Sequence, residues 1–153
     1  MSYMLYEKIQ NDLKDALRAK DEIRKETIKS ILSGITNELM AQKRKPQERL
    51  EDEGVLTVIK RQVKQRKDSI EQFEKGGRAD LAQKEHEELE ILKIYLPEEL
   101  GEEEITRVVK KKIQELSISQ KKDVGKLIGA VLKELKGRAD GTRVKEIAEK
   151  FLT

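Results

Sequence analysis

The 153-residue chain contains no cysteine, no tryptophan, two prolines and a single histidine, and only 3% of it is aromatic. Each scarcity closes off a chemistry. Without cysteine there is no disulfide, no thiolate metal centre and no thiol nucleophile. His86 stands among Glu85, Glu87 and Glu88 with no second histidine to join it, so an exposed surface residue is expected and not a metal ligand. There is no Gly-rich loop followed by Lys-Ser or Lys-Thr, and no Ser-His pair in a supporting context. Catalytic residues, metal ligands and cofactors are therefore all expected to be none. The five aromatics, Tyr3, Tyr6, Phe73, Tyr95 and Phe151, are expected mostly in the core, which leaves little for stacking unpaired bases. No stretch approaches the roughly 18 apolar residues of a membrane span, and no secretory-type apolar run opens the chain. A soluble cytoplasmic protein with no membrane partner is expected.

Charge is what the chain has in quantity. Charged residues make up 41% and apolar ones 36%, with 33 basic and 30 acidic side chains and a net charge of +3. Apolar residues recur at helical spacing almost throughout, which predicts an all-α fold with charged outer faces. A first helix is expected over 3–20, with Leu5, Ile9, Leu13, Ala16 and Leu17 inward. A second runs over about 22–43 and buries Ile28, Ile31, Leu32, Ile35 and Leu39. Residues 42–53, with Pro46 and mixed charges, read as an exposed loop. A third helix over about 50–75 carries Val55, Ile59, Val63, Ile70 and Phe73 inward. Gly76-Gly77 then turns the chain into a fourth helix, about 79–95, so that long antiparallel helices form helical hairpins. Pro97 marks the boundary between residues 1–96, an N-terminal helical domain, and residues 97–153, a C-terminal three-helix domain.

One polar group breaks the pattern in the hairpin. Arg66 lies in the middle of the third helix's apolar stripe, and Glu85 and Glu88 lie between Leu81 and Leu92 on the fourth. A hairpin centred on Gly76-Gly77 sets residue 66 against residue 87. An inter-helix ion pair of Arg66 with Glu85 and Glu88 is expected, partly buried, fixing the register. The alternative is that Arg66 reaches a phosphate.

The C-terminal region is where basic charge concentrates. Glu102, Glu103 and Glu104 open a fifth helix, where carboxylates suit the helix dipole, and Ile105, Val108, Val109, Ile113 and Leu116 form its apolar face. Ser119 is a candidate cap for the sixth helix. From Ser117 to Lys145 there are eight basic and three acidic residues. On the sixth helix Val124, Leu127, Ile128, Val131, Leu132 and Leu135 share one stripe, and Lys122, Lys126 and Lys133 project from the opposite face. Lys136, Arg138 and Arg143 carry the positive charge around the following turn. There Gly137 is placed to stop the helix and Asp140 to cap a seventh, whose apolar residues are Val144, Ile147, Ala148, Phe151 and Leu152. Gly125 and Gly129 are read as structural, letting the sixth helix pack closely on the fifth or seventh; the other reading is close approach of a phosphate backbone. The lysines either contact phosphates or solvate the face. A second basic stripe, Lys60, Lys64 and Lys67 on the third helix, either extends an RNA-binding surface or is a solvated face.

The pattern Gly125-x-x-x-Gly129, Val131-x-Lys133, then Lys136-Gly137-Arg138-Ala139-Asp140 and a short closing helix resembles the C-terminal tail of the GatB subunit of tRNA-dependent amidotransferases. The segment KQRKDSIEQFEKGGRADLAQKEHEELEILKIYLPEEL, residues 64–100, is similar to the signature of the free-standing YqeY family. The resemblance implies translation-related binding of tRNA, because the GatB tail helps to hold the tRNA body. A carbon–nitrogen ligase activity with glutamine as amido-N-donor attaches to the shared tail by resemblance only: GatB carries that chemistry in a large preceding domain with no equivalent here. The expected function is a non-catalytic tRNA-binding accessory protein. The alternative is an adaptor docking an aminoacyl-tRNA synthetase or amidotransferase through the N-terminal helices.

Overall fold

In a computed structural model, the structure describes residues 2–136 and 138–153, and it is all-α. Seven α-helices are seen among them: α1 (Met4–Ala19), α2 (Glu22–Ala41), α3 (Asp52–Lys75), α4 (Ala79–Lys93), α5 (Glu102–Leu116), α6 (Val124–Leu135) and α7 (Gly141–Glu149). A 3-10 turn, Lys121–Asp123, leads into α6. The chain divides into two compact units, Met1–Leu96 and Pro97–Thr153.

The N-terminal unit is built on the 3.6-residue spacing of branched aliphatics. Ile28, Ile31, Ile35 and Leu39 of α2 and Val55, Val58 and Ile59 of α3 are almost wholly buried, with Ile9 of α1 and Leu92 of α4. Burying an aliphatic side chain of this size stabilises by about 1.5–3 kcal/mol. Gly34 lets α2 and α3 approach closely, since a Cβ there would lie 2.7 Å from Val58 Cγ1 and 2.8 Å from Gln62 Nε2. Gln62 uses that proximity to donate from Nε2 to the Ser30 carbonyl at 2.9 Å. Leu17, expected inward, is 50% exposed: α1 covers the core through Ile9 and Ala16, and Leu17 falls off that line.

Polar contacts hold the helix ends. Asp21 caps α2, accepting from Arg24 N at 3.1 Å. Asp52, opening α3, accepts from Leu5 N of α1 at 3.0 Å, so one carboxylate serves a helix 47 residues away. The loop between α2 and α3 is more tightly tied than its composition suggests. Arg44 reaches Glu51 at 3.1 Å and donates to the Arg49 carbonyl at 3.0 Å. The Arg44 hydrogen bond to Glu51 holds the Glu51 carboxyl below the usual carboxylate range.

Between α3 and α4, Arg66 Nε lies 3.0 Å from Glu88 Oε2 and 3.5 Å from Glu85 Oε2. The three side chains are 21%, 12% and 17% exposed, in that order. Close as they are, the groups are not aligned as hydrogen bonds: Arg66 Nε and Glu85 Oε2 are buried without a partner. Burial pushes the Glu88 carboxyl up, Arg66 opposing and Glu85 adding to the shift. Losing Arg66 would leave a buried and a partly buried carboxylate side by side, a cost above the about 1 kcal/mol of an exposed pair and below the roughly 3–5 kcal/mol of a deeply buried one. At the end of this unit the Tyr95 hydroxyl donates to Asp12 Oδ2 at 2.6 Å, and Arg24 lies 3.7 Å from the same carboxylate.

The C-terminal unit has a separate core. Ile105, Val108 and Val109 of α5, Leu127 and Val131 of α6, and Val144 and Ala148 of α7 are all buried, which makes the three helices one cluster. Asp140 caps α7, accepting from Thr142 N at 2.9 Å. Ser119 caps nothing, because the 3-10 turn stands between it and α6; its carbonyl instead receives the Thr153 N–H at 3.0 Å. Phe151, expected inward, is 40% exposed, with the Lys110 ammonium over its ring. The helix stop expected at Gly137 lies outside the described residues.

Candidate nucleic-acid interface

α6 is amphipathic in an unusual way. Leu127, Val131 and Leu135 are buried, and the opposite side holds only glycine and lysine. At about 100° per residue Gly125, Lys126, Gly129 and Lys133 fall within about 100° of one another. All four are exposed, as is Lys122 in the preceding turn. A Cβ built on Gly125 or Gly129 would meet nothing within 4 Å. This overturns the reading of the two glycines as close-packing positions. They face open space, and no helix of their own unit lies against them.

The lysines are equally unoccupied. Among the described residues neither Lys122, Lys126, Lys133 nor Lys136, Arg138, Arg143 has a carboxylate within ion-pair distance, although other cations of the same unit do. Two of the three acids of the segment are committed elsewhere, and the third, Asp123, stands at the start of α6 beside Lys122 without a side-chain cap bond. Glu134 is held by Lys111 at 2.8 Å, with Lys112 at 3.9 Å from the same oxygen. The Lys111 ammonium holds the Glu134 carboxyl below the usual range. Asp140 is the cap of α7. Asp123 is then the one acid of 117–145 left near the lysines of α6, and the segment keeps a basic excess on its surface. Arg138 is partly anchored, its Nε donating to the Glu98 carbonyl at 3.2 Å. Arg143 is exposed on α7.

On α3 the structure sorts a run of five cations. Arg61 goes to Glu38 at 3.4 Å and Arg66 to Glu85 and Glu88. Lys60, Lys64 and Lys67 remain without an ion-pair partner among the described residues; Lys64 and Lys67 are exposed and Lys60 is half-buried. Arg66 is turned to the fold and is not available to a phosphate. His86 is exposed and lies 3.4 Å from Glu74. Among the described residues there is no group of His, Asp or Glu arranged to hold a metal ion, and no helix is long and apolar enough to cross a membrane.

Comparison with known proteins adds relatives and a family. The chain is 42% identical over 88 residues to Altered inheritance of mitochondria protein 41, mitochondrial, of Lachancea thermotolerans, covering 58% of this chain and 46% of that one. It is 34% identical over 134 residues to the protein of the same name in Pyrenophora tritici-repentis, covering 86% of this chain and 71% of that one. For Kluyveromyces lactis the identity is 40% over 126 residues, covering 78% and 66%. The chain thus spans between about half and about seven-tenths of the length of these relatives, none of whose names states an activity. The expectation of a cytoplasmic protein is overturned, because the relatives are named as mitochondrial. The absences behind that expectation, of cysteine and of long apolar runs, are shared by proteins of more than one compartment and do not discriminate between them. The family model described as Yqey-like protein matches residues 6–152, nearly the whole chain, and the chain belongs to the YqeY family.

Proposed function

We propose that the chain binds structured RNA, tRNA foremost, through the outer face of α6, and performs no catalysis of its own. The observation that carries this reading is the stripe of Lys122, Lys126 and Lys133 with Gly125 and Gly129 between them. Among the described residues its cations have no ion-pair partner, and its glycines are open. Phosphates attract unpaired ammonium groups irrespective of sequence. A helix face without side-chain bulk at two positions lets a phosphate backbone come close to the helix itself. The face offers no aromatic ring, which favours a duplex read by shape over an extended single strand. Resemblance of the same residues to the amidotransferase tail points to the same ligand.

Binding of a tRNA pool over a salt series tests this reading. Affinity should fall steeply as salt rises, with each displaced phosphate contact contributing a log–log slope of roughly −0.7 to −0.9. A second reading, docking of a protein partner, rests on exposed apolar side chains of the N-terminal unit, Met4 at 75%, Met40 at 56% and Ile94 at 64%. Apolar docking would change little over the same salt range.

A further inference from the structure

We propose that the cleft at the C-terminal end of α6 holds one unpaired nucleotide of the bound RNA, with its phosphate on Lys136 and Arg138 and its base on an apolar floor. This rests on the RNA-binding reading and adds to it a site for a single base. The cleft has a volume of about 500 Å³, within the roughly 300–1,000 Å³ of small-ligand sites. Its walls are fixed by the backbone. Leu100 N donates to the Arg138 carbonyl at 2.8 Å, which ties the chain entering α5 to the turn leaving α6. Arg138 Nε donating to the Glu98 carbonyl closes the same side.

The lining is amphipathic in the manner of a nucleotide. Leu100 supplies apolar surface over the buried Val108 and Leu135, and Glu134, held by Lys111, lines the wall beside Glu104. Lys136 sits in the left-handed region at φ 51°, unpaired, at the lip. Arg138 uses Nε for its backbone anchor, which leaves its two NH2 groups for an anion. Across from them Arg107 is held by Glu104, its Nε donating to Glu104 Oε1 at 3.0 Å. A guanidinium fixed in this way is a flat cation on which a base can stack, and it substitutes for the aromatic ring the surface lacks. Glu104 engages Arg107 through Oε1 alone, so Oε2 can accept from the N–H edge of a base. Inorganic phosphate would leave the apolar floor unused, and an apolar ligand would strand the cations. Lys136 lies three residues beyond Lys133, at the end of α6, whereas the α6 residues lining the cleft, Glu134 and Leu135, are on the side of the helix that meets α5.

The test uses the full chain and two RNAs, a blunt hairpin stem of about 12 base pairs and the same stem with one unpaired 3′ adenosine, followed by fluorescence anisotropy at low salt. The unpaired nucleotide should tighten binding about five- to tenfold, the scale of one stacked base. Lys136→Gly should bring that ratio close to one, and the left-handed backbone at this position suits glycine, so the variant folds. Adenosine monophosphate alone should shift the methyl resonances of Val108 and Leu135. Equal affinities for the two RNAs, with both lost in Lys122/Lys126/Lys133→Glu, would overturn the cleft site and leave the RNA reading standing. A ratio unchanged by Lys136→Gly would also overturn it. Failure of both RNAs to bind at low salt would remove the RNA reading and this site with it.

Discussion

Replacing Gly125 and Gly129 by alanine separates a packing role from a binding role, because the two roles predict opposite signs. A methyl at either position enters open space, with no atom within 4 Å. Nothing in the unit must move to admit it. Alanine in a helix interior is favoured over glycine by about 0.5–1 kcal/mol, since glycine loses more backbone freedom on folding. Gly129 is interior to α6 and should deliver most of that gain, whereas Gly125, the second residue of the helix, should deliver less. The double variant should therefore be about 1 kcal/mol more stable in urea unfolding, with an unchanged m-value. Its RNA affinity should nevertheless fall several-fold, because the methyls stand between the helix and the phosphates that Lys126 and Lys133 draw in. A loss of stability would refute the open-face geometry. A gain in stability with undiminished RNA binding would refute close approach of the backbone.

Gly34→Ala should behave in the opposite way. The new Cβ would collide with Val58 and Gln62, so overpacking of about 1–3 kcal/mol should exceed the propensity gain and lower the urea midpoint. Tyr95→Phe removes a 2.6 Å bond to the Asp12 carboxylate and should cost about 1.5 kcal/mol in the same assay; no change would show that Arg24 and water satisfy Asp12 unaided. Glu88→Gln should alter the pH profile. The folded-state pKa of Glu88 lies above its usual value, mainly through burial, so the stability tied to its protonated form is present at low pH and is lost as pH rises through that raised value. The stability of the glutamine variant relative to the parent should thus improve between pH 4 and pH 7, and a difference that stays flat with pH would contradict the burial argument.

The helices were legible in the sequence because their apolar residues keep one period and short turn signals separate them. The register of α3 and α4 could be read from Gly76-Gly77 together with an out-of-place arginine, and Arg66 stands beside Glu85 and Glu88 in the structure. Where residues misled, periodicity alone was at fault. Leu17 and Phe151 have the right spacing near helix ends, but both stay substantially exposed, Phe151 with the Lys110 ammonium of α5 over its ring. Gly125 and Gly129 sit on a helix, where glycine more often marks close packing, and only three-dimensional placement shows that the space beside them is empty. Gly34, a glycine between Ile31 and Ile35 on a buried face, carries a sequence signal of a close helix crossing. The tie of Asp52 to α1 spans 47 residues and left no local trace. The lysine face was visible in outline. What the sequence alone did not disclose is that two of the three intervening acids, Glu134 and Asp140, are occupied, which leaves Asp123 alone beside the lysines.

The most direct measurement is tRNA binding from low to physiological salt by the parent chain beside two charge reversals, Lys122/Lys126/Lys133→Glu on α6 and Lys60/Lys64/Lys67→Glu on α3. If α6 is the phosphate-binding face, the parent should bind with a log–log salt slope of about −2 to −3 from these three lysines. The α6 reversal should abolish binding, and the α3 reversal should weaken it only modestly. Binding that survives the α6 reversal, or that shows no salt dependence in the parent, would contradict an RNA interface on this helix.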